Sequence, residues 1–204
     1  MVEPSDQLVQ ITLQEYLASL AAGTSTPGGG TAAAITGAQG CALLSMVCEF
    51  TRNDERIVEL AQQCTSVTNS FIQLADQDIE AFEEVMNQYR LDRSGEAYQS
   101  ALHRAAEVPM LVIQEAASLV ITAEYLETAG NRLLISDVAI GANLLATAMH
   151  SATVNVYINC QLISNRDFTS QTIVKMRQHL LIADRLSAVF NRISQNLGEI
   201  PNVT

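Results

Sequence analysis

Asp78 is the residue that asks most of its surroundings. In the segment Asp54 to Tyr89 the apolar side chains Ile57, Leu60, Cys64, Val67, Phe71, Leu74, Phe82, Val85 and Tyr89 recur in steps of about three and four, and Asp78 stands in that seam. A carboxylate there is costly without a partner, so it needs an ion pair, a helix-to-helix hydrogen bond, a water or a chemical task. Asp76 and Glu80 fall outside the seam. A second feature is the tract Pro27-Gly28-Gly29-Gly30-Thr31-Ala-Ala-Ala34. It lacks the lysine and hydroxyl ending of a phosphate loop and follows no predicted strand, which argues against a nucleotide site. Three glycines before a helix still leave N–H groups unpaired and open to close approach by a carboxylate or phosphate. The alternative is a tight turn followed by close helix packing, supported by the small residues Ala34, Gly37, Ala38 and Gly40.

Asp137 and Asn155 are 18 positions apart, about five helical turns, and share a face with Gly141, Leu144 and Ala148 between them. Asn159 lies one turn further on. Such a face suits a groove as readily as a seam, and Asp137 also suits the N-terminal end of a helix dipole. The histidines His103, His150 and His179 share no motif, so no metal site is assigned. The four cysteines lack paired metal spacing, and Cys41 and Cys48, two turns apart in an apolar stretch, read as buried small hydrophobes.

The elements that must position these residues are helices. Thr12-Leu-Gln-Glu15 has capping-box spacing and opens a helix ending near Gly23. Thr31 to Arg52 carries almost no charge and reads as a buried helix, and Asp54 to Tyr89 as a long bundle helix. A further helix is expected over Ser94 to Glu107, with Pro109 in the first turn of the next one, which ends near Gly130. The last two run from Ser136 or Asp137 to about Ser164 and from Thr169 to Leu197, the latter closed by Gly198 and Pro201. With no repeat or low-complexity linker, the expectation is an all-α antiparallel multi-helix bundle, a single domain over residues 1–204.

Composition agrees: of 204 residues 48% are hydrophobic and only 5% aromatic, with no Trp. The net charge of -11 and the single lysine, Lys175, argue against nucleic acid, so an anionic ligand would rely on local arginines or helix N-termini. The first residues, MVEPSDQLVQ, do not read as a secretory signal, and polar residues such as Asn143, His150 and Asn155 interrupt Val138 to Ile163, so no membrane span is expected. A reducing, cytoplasmic setting is expected from the cysteine pattern.

Five motifs stand in register: Pro27-Gly-Gly-Gly-Thr-Ala-Ala, Asp78-Ile-Glu-Ala-Phe82, Val108-Pro109, Gly130-Asn131 with Ser136-Asp137, and Asn155-Val-Tyr-Ile-Asn159. Together they resemble the cyclodeaminase/cyclohydrolase family of tetrahydrofolate enzymes over nearly the whole chain. The resemblance implies an all-α homodimer that binds a folate one-carbon adduct in a cleft or tunnel. Members close 5-formiminotetrahydrofolate to 5,10-methenyltetrahydrofolate with loss of ammonia, or hydrolyse the methenyl compound to 10-formyltetrahydrofolate. Both reactions pass through a tetrahedral carbon and need proton transfer beside a cationic amidine-like centre.

On this resemblance Asp78 and Asp137 are the catalytic candidates. Gly28, Gly29, Gly30, Thr31, Asn131, Asn155 and Asn159 would bind the substrate, and Arg52, Arg56 and Arg132 a glutamylated tail. No permanently bound cofactor is implied, the tetrahydrofolate derivative being the substrate, and a separate formiminotransferase is a possible partner. The low charge of Thr31 to Phe50 also fits a homodimer, since it offers more apolar surface than one amphipathic helix needs. Two departures from the family pattern stand out: Thr31 replaces the usual serine, and the usual basic run is thinned to Thr51-Arg52-Asn53-Asp54-Glu55-Arg56. Cyclodeaminase is the first expectation and methenyltetrahydrofolate cyclohydrolase the alternative. The rival from another class is a non-catalytic folate-binding or helical interaction protein.

Overall fold

The computed structural model describes residues 8–51 and 55–198. Its elements are α1 (Leu13–Leu20), α2 (Gly29–Glu49), α3 (Glu55–Asp92), α4 (Glu96–Ser118), α5 (Val120–Ala129), α6 (Ile135–Leu162) and α7 (Arg166–Gly198). Short 3-10 turns occupy Leu8–Gln10 and Arg132–Leu134, and no strand occurs among the described residues. The fold is an all-α bundle. Thr12 caps α1 as its spacing requires: its hydroxyl accepts the Glu15 N–H at 3.2 Å, and the Glu15 carboxylate accepts the Thr12 N–H at 2.7 Å.

Long-range bonds fix the directions of the helices. Ser70 and Gln63 of α3 reach Glu115 and the Ser118 carbonyl of α4, while Glu80 pairs with Arg104, so α3 and α4 are antiparallel. Thr31 of α2 meets Asp78 and Cys41 meets Cys64, which makes α2 and α3 antiparallel as well. Gly40 lies against Gly141, and the Asn131 side chain reaches the Phe50 carbonyl, so α6 also runs opposite to α2. Helix α2 therefore sits between α3 and α6, with α4 packed across α3 and α6 and α7 closing the far side.

This placement explains the low charge of α2 within one chain. Ala34, Cys41, Leu44 and Val47 are fully buried, so much of the apolar surface read as surplus is covered by its own neighbours. At Gly37 the Phe71 ring occupies the space of a side chain: an added Cβ would lie 2.5 Å from its Cε1. Burying a phenylalanine there contributes about 1.5–3 kcal/mol.

Several boundaries differ from the sequence expectation. Helix α2 begins at Gly29, not Thr31, so Gly29 and Gly30 form its first turn. Pro109 does not start a helix but lies inside α4, and the break comes at Leu119. Proline removes the N–H that would bond the Ala105 carbonyl four residues back. That carbonyl instead accepts the Asn159 side-chain N–H from α6 at 2.6 Å. Helix α7 starts three residues early because the Asn165 side chain accepts the Phe168 N–H at 3.1 Å, an N-cap. Beyond Asp78 the seam of α3 also turns: Ala81 is buried while Phe82 and Tyr89 are 38% and 45% exposed. There α3 has passed the start of α2 and loses it as a neighbour.

Three helical stretches, Gly29–Glu49, Glu96–Ala129 and Arg132–Leu162, are long and apolar enough to cross a membrane. That includes the stretch its polar residues were expected to exclude. In the bundle about half of each stretch is buried, 56%, 61% and 44% in that order.

Candidate active site

Asp78 is half-buried on α3, facing the first turn of α2. The Thr31 hydroxyl donates to its Oδ2 at 2.9 Å, and the Thr31 backbone N–H also bonds it. Gly28, the N-cap, has no side chain with which to cap the helix. The carboxylate thus supplies from another helix the anionic cap that α2 lacks at its own start. Burial raises its pKa above the ordinary carboxylate value, and the two Thr31 hydrogen bonds oppose that rise. None of the ion pairs found among the described residues includes Asp78.

The glycines now separate by role. A Cβ on Gly30 would fall on the Asp78 carboxyl group, 2.5 Å from Cγ and 2.7 Å from Oδ2, so the carboxylate fits only because Gly30 has no side chain. At Gly29 a Cβ would meet nothing within 4 Å, and at Gly28 only the Ser25 carbonyl at 3.7 Å. No glycine has a positive φ. Thr31 is fully buried and its hydroxyl faces Asp78, so it orients the carboxylate.

The remaining predicted residues divide between the two ends of the bundle. The antiparallel register with α2 puts Asn155, half-buried, about level with the loop just before Gly28, so the glycine turn, Asp78 and Asn155 share one end. Asn159 lies at the same end, where its amide is taken by Ala105. At the opposite end stand Asn131, Arg132, Asp137 and Arg56. Asn131 ties the α5–α6 connection to α2: its N–H reaches Thr51 Oγ1 at 3.0 Å and its Nδ2 the Phe50 carbonyl at 3.0 Å. Arg132 donates to the Glu127 carbonyl at 3.2 Å, and the Arg56 guanidinium lies 4.3 Å above the Tyr125 ring. Arg52 lies outside the described residues. At 1.5 Å per residue, the stretch of α2 between the two groups spans more than about 20 Å. Asp78 and Asp137 of one chain are therefore not brought to the same carbon. The eighteen-residue spacing put Asp137 and Asn155 on one face correctly, but a shared face extends along the whole helix.

A groove of about 970 Å³ opens at the second end, lined by Cys48, Glu49, Thr51, Ala61, Gln62 and Thr65 among others, and does not include Asp78. Among the described residues no cluster of His, Cys, Asp and Glu could hold a metal ion.

Comparison with known proteins bears on this arrangement. The family model described as formiminotransferase-cyclodeaminase matches residues 12–178. A methenyltetrahydrofolate cyclohydrolase of Methylorubrum extorquens is 30% identical over 86% of this chain and 92% of its own length. The formimidoyltransferase-cyclodeaminase of Sus scrofa is 28% identical over 91% of this chain, which spans only 38% of that longer protein. The crystal structure of a formiminotetrahydrofolate cyclodeaminase from Thermotoga maritima superposes with a TM-score of 0.87 at 29% identity, covering 93% of this chain and 98% of that one. With a fold shared end to end and a family match across most of its length, the chain belongs to the formiminotransferase-cyclodeaminase family.

Proposed function

We propose that the protein acts on the one-carbon bridge of a tetrahydrofolate, closing 5-formiminotetrahydrofolate to 5,10-methenyltetrahydrofolate with release of ammonia. The observation that carries this reading is the Asp78 carboxyl group, half-buried, raised in pKa and set against the first turn of α2. Closure requires N10 to attack the formimino carbon, a proton to leave N10, and the departing nitrogen to be protonated. A carboxyl group whose pKa is lifted toward the working pH can do both in turn. Its anion also offsets the positive charge of the amidine-like carbon. Gly29, exposed at the helix start with nothing over its Cα, offers an N–H group for an anionic or carbonyl edge of the ligand.

Hydrolysis of the methenyl compound is the second reading, favoured by the nearly end-to-end match to the Methylorubrum extorquens cyclohydrolase. Both reactions use the same tetrahedral carbon, so one carboxyl group serves either. Incubating purified protein with each adduct while following methenyl absorbance and ammonia separates them. Gain of absorbance with ammonia is expected from the formimino compound; loss of absorbance from the methenyl compound supports hydrolysis. A folded sample inert toward both overturns the proposal and leaves a non-catalytic folate binder. Asp78→Asn should abolish turnover while folate binding persists.

A further inference from the structure

Helix α2 separates α3 from α6, and those two are not packed on one another. Although α2 begins at Gly29, α3 runs on past that level to Asp92 and α6 to Leu162. Beyond Gly29 the layer therefore has two walls and no middle helix, an opening about 10 Å across, the width of the missing helix. Helix α4 passes beneath both walls. The Asn159 amide of α6 donates to its Ala105 carbonyl at 2.6 Å, and the Tyr89 ring of α3 stands 5.9 Å from that of Tyr98. Helix α1 does not take the place of α2, since it packs along none of the other helices and leaves Leu13 and Leu17 exposed.

Asp78 stands where this opening begins, held by the first turn of α2. Phe82 follows it by four residues, on the same face of α3 and about 6 Å further along the axis. The stripe that meets α2 through Phe71 and Asp78 thus continues as Phe82, Val85 and Tyr89 with no helix against it. Exposure follows from that loss: Phe71 is fully buried, whereas Phe82 is 38% exposed. On the facing wall α6 ends in Leu162, 53% exposed. Neither the packing of the bundle nor the chemistry assigned to Asp78 makes use of the Phe82 ring.

We infer that Phe82 is a substrate-binding residue whose ring forms the bed for the p-aminobenzoyl ring of the tetrahydrofolate adduct. The placement rests on the folate reading, in which the Asp78 carboxyl group works at the carbon between N5 and N10. N10 is bonded directly to the benzoyl ring, so holding that carbon at Asp78 sets the ring within about one helical turn of it. The pterin adjoins the same carbon through N5, but its edge carries several N–H groups and a carbonyl. Phe82, Val85 and Leu162 offer these no partner, and burying them unpaired is costly. A benzene ring has no such need and gains from stacking or edge contact with phenylalanine. The pterin is left the polar side of the site, where Asn155 and the Gly29 N–H stand. The amide and glutamate that follow the benzoyl ring leave past Tyr89, at the end of the bundle opposite Arg56 and Arg132.

5-Formyltetrahydrofolate separates the alternatives, because its reduced pterin bears no aromatic C–H and every aromatic proton of the ligand is on the benzoyl ring. With isotope-labelled phenylalanine in the full-length chain, an isotope-filtered NOE from those protons to a Phe ring is expected, absent in Phe82→Leu. Titration calorimetry should show Phe82→Ala weakening the ligand about tenfold and Phe82→Tyr close to native. Bound ligand whose benzoyl protons show no contact with Phe82 overturns the placement while the folate reading stands. So does contact with Phe82 from the pterin C7 protons alone, or unchanged affinity in Phe82→Ala. A native chain that binds no 5-formyltetrahydrofolate removes the folate reading itself, and this inference with it.

Discussion

At the scale of single residues, the raised pKa of Asp78 makes a claim about stability as well as chemistry. Where a carboxyl pKa is higher in the folded state than in the unfolded one, the contribution is full below the unfolded pKa and is lost as pH rises through the folded one. Asp78→Asn should therefore match the native melting temperature at low pH and exceed it at neutral pH. A gain of about 2–4 °C corresponds to about 1 kcal/mol in a protein of this size. Calorimetry across pH checks this; an Asn variant less stable at neutral pH would mean that the Thr31 hydrogen bonds outweigh burial. The glycines give a paired prediction. Gly30→Ala should disable the site by displacing the carboxylate, whereas Gly29→Ala meets only open space and should keep or slightly raise the melting temperature. Folate affinity that falls in Gly29→Ala, measured by titration, would then report a ligand against the backbone. The sequence announced Asp78 because a charge broke a periodic seam. It could not announce that Gly30 makes room for that charge, since one glycine in three looks like any other until α3 is beside it.

At the scale of elements, the exchange of bonds between Pro109, Ala105 and Asn159 governs whether α4 runs on or stops. Asn159→Ala leaves the Ala105 carbonyl without its partner, a loss of about 1–3 kcal/mol if the site stays dry. In a Pro109→Ala background the restored N–H can bond that carbonyl, so the same Asn159 substitution should cost much less. Urea denaturation of the four variants forms a double-mutant cycle, and additive losses would show that the two residues act separately. Local signals rightly located the capping box at Thr12 and most of the periodic helices. They misplaced the α4 boundary because the residue that rescues the proline is fifty positions away. The same limit hid the contact of Cys41 with the Cys64 carbonyl: the two-turn spacing of Cys41 and Cys48 was legible, but the register that sets Cys64 against Cys41 was not.

At the scale of the whole molecule, the unexplained surface is the outer face of α6. Ile140, Val154 and Ile158 are 47%, 66% and 55% exposed, alongside the exposed Asn143, Thr147 and Ser151. From Val138 to Asn165 the chain holds no Asp, Glu, Lys or Arg, in a molecule of net charge -11. Two copies meeting there would avoid the repulsion their remaining surfaces impose. Light scattering at micromolar concentration is expected to give a dimer, and Thr147→Glu to shift it toward monomer; a native chain that stays monomeric sinks the idea. Assembly would also bear on Asp137 and Arg132, since only another subunit could bring the far end of the bundle to Asp78. In that case, mixed dimers of Asp78→Asn and Asp137→Asn chains should regain turnover that neither variant has alone. Sequence motifs gave both aspartates one purpose because they are ordered along a line, whereas distance in the bundle is set by helix direction.

The crossing of α2 over α6 has a further consequence, for how this protein can vary. A side chain on Gly40 would strike the Gly141 carbonyl at 2.8 Å, and one on Gly141 would strike the Gly40 carbonyl at 3.0 Å. In an ordinary core contact a larger residue on one side can be accommodated by a smaller one opposite. Here both positions already hold the smallest residue, and the obstacle is main chain that no substitution trims. Neither glycine can make room for a change in the other, so this pair can leave no trace of compensating exchange. Two positions in direct main-chain contact are for that reason invisible to any method that infers contact from correlated substitution.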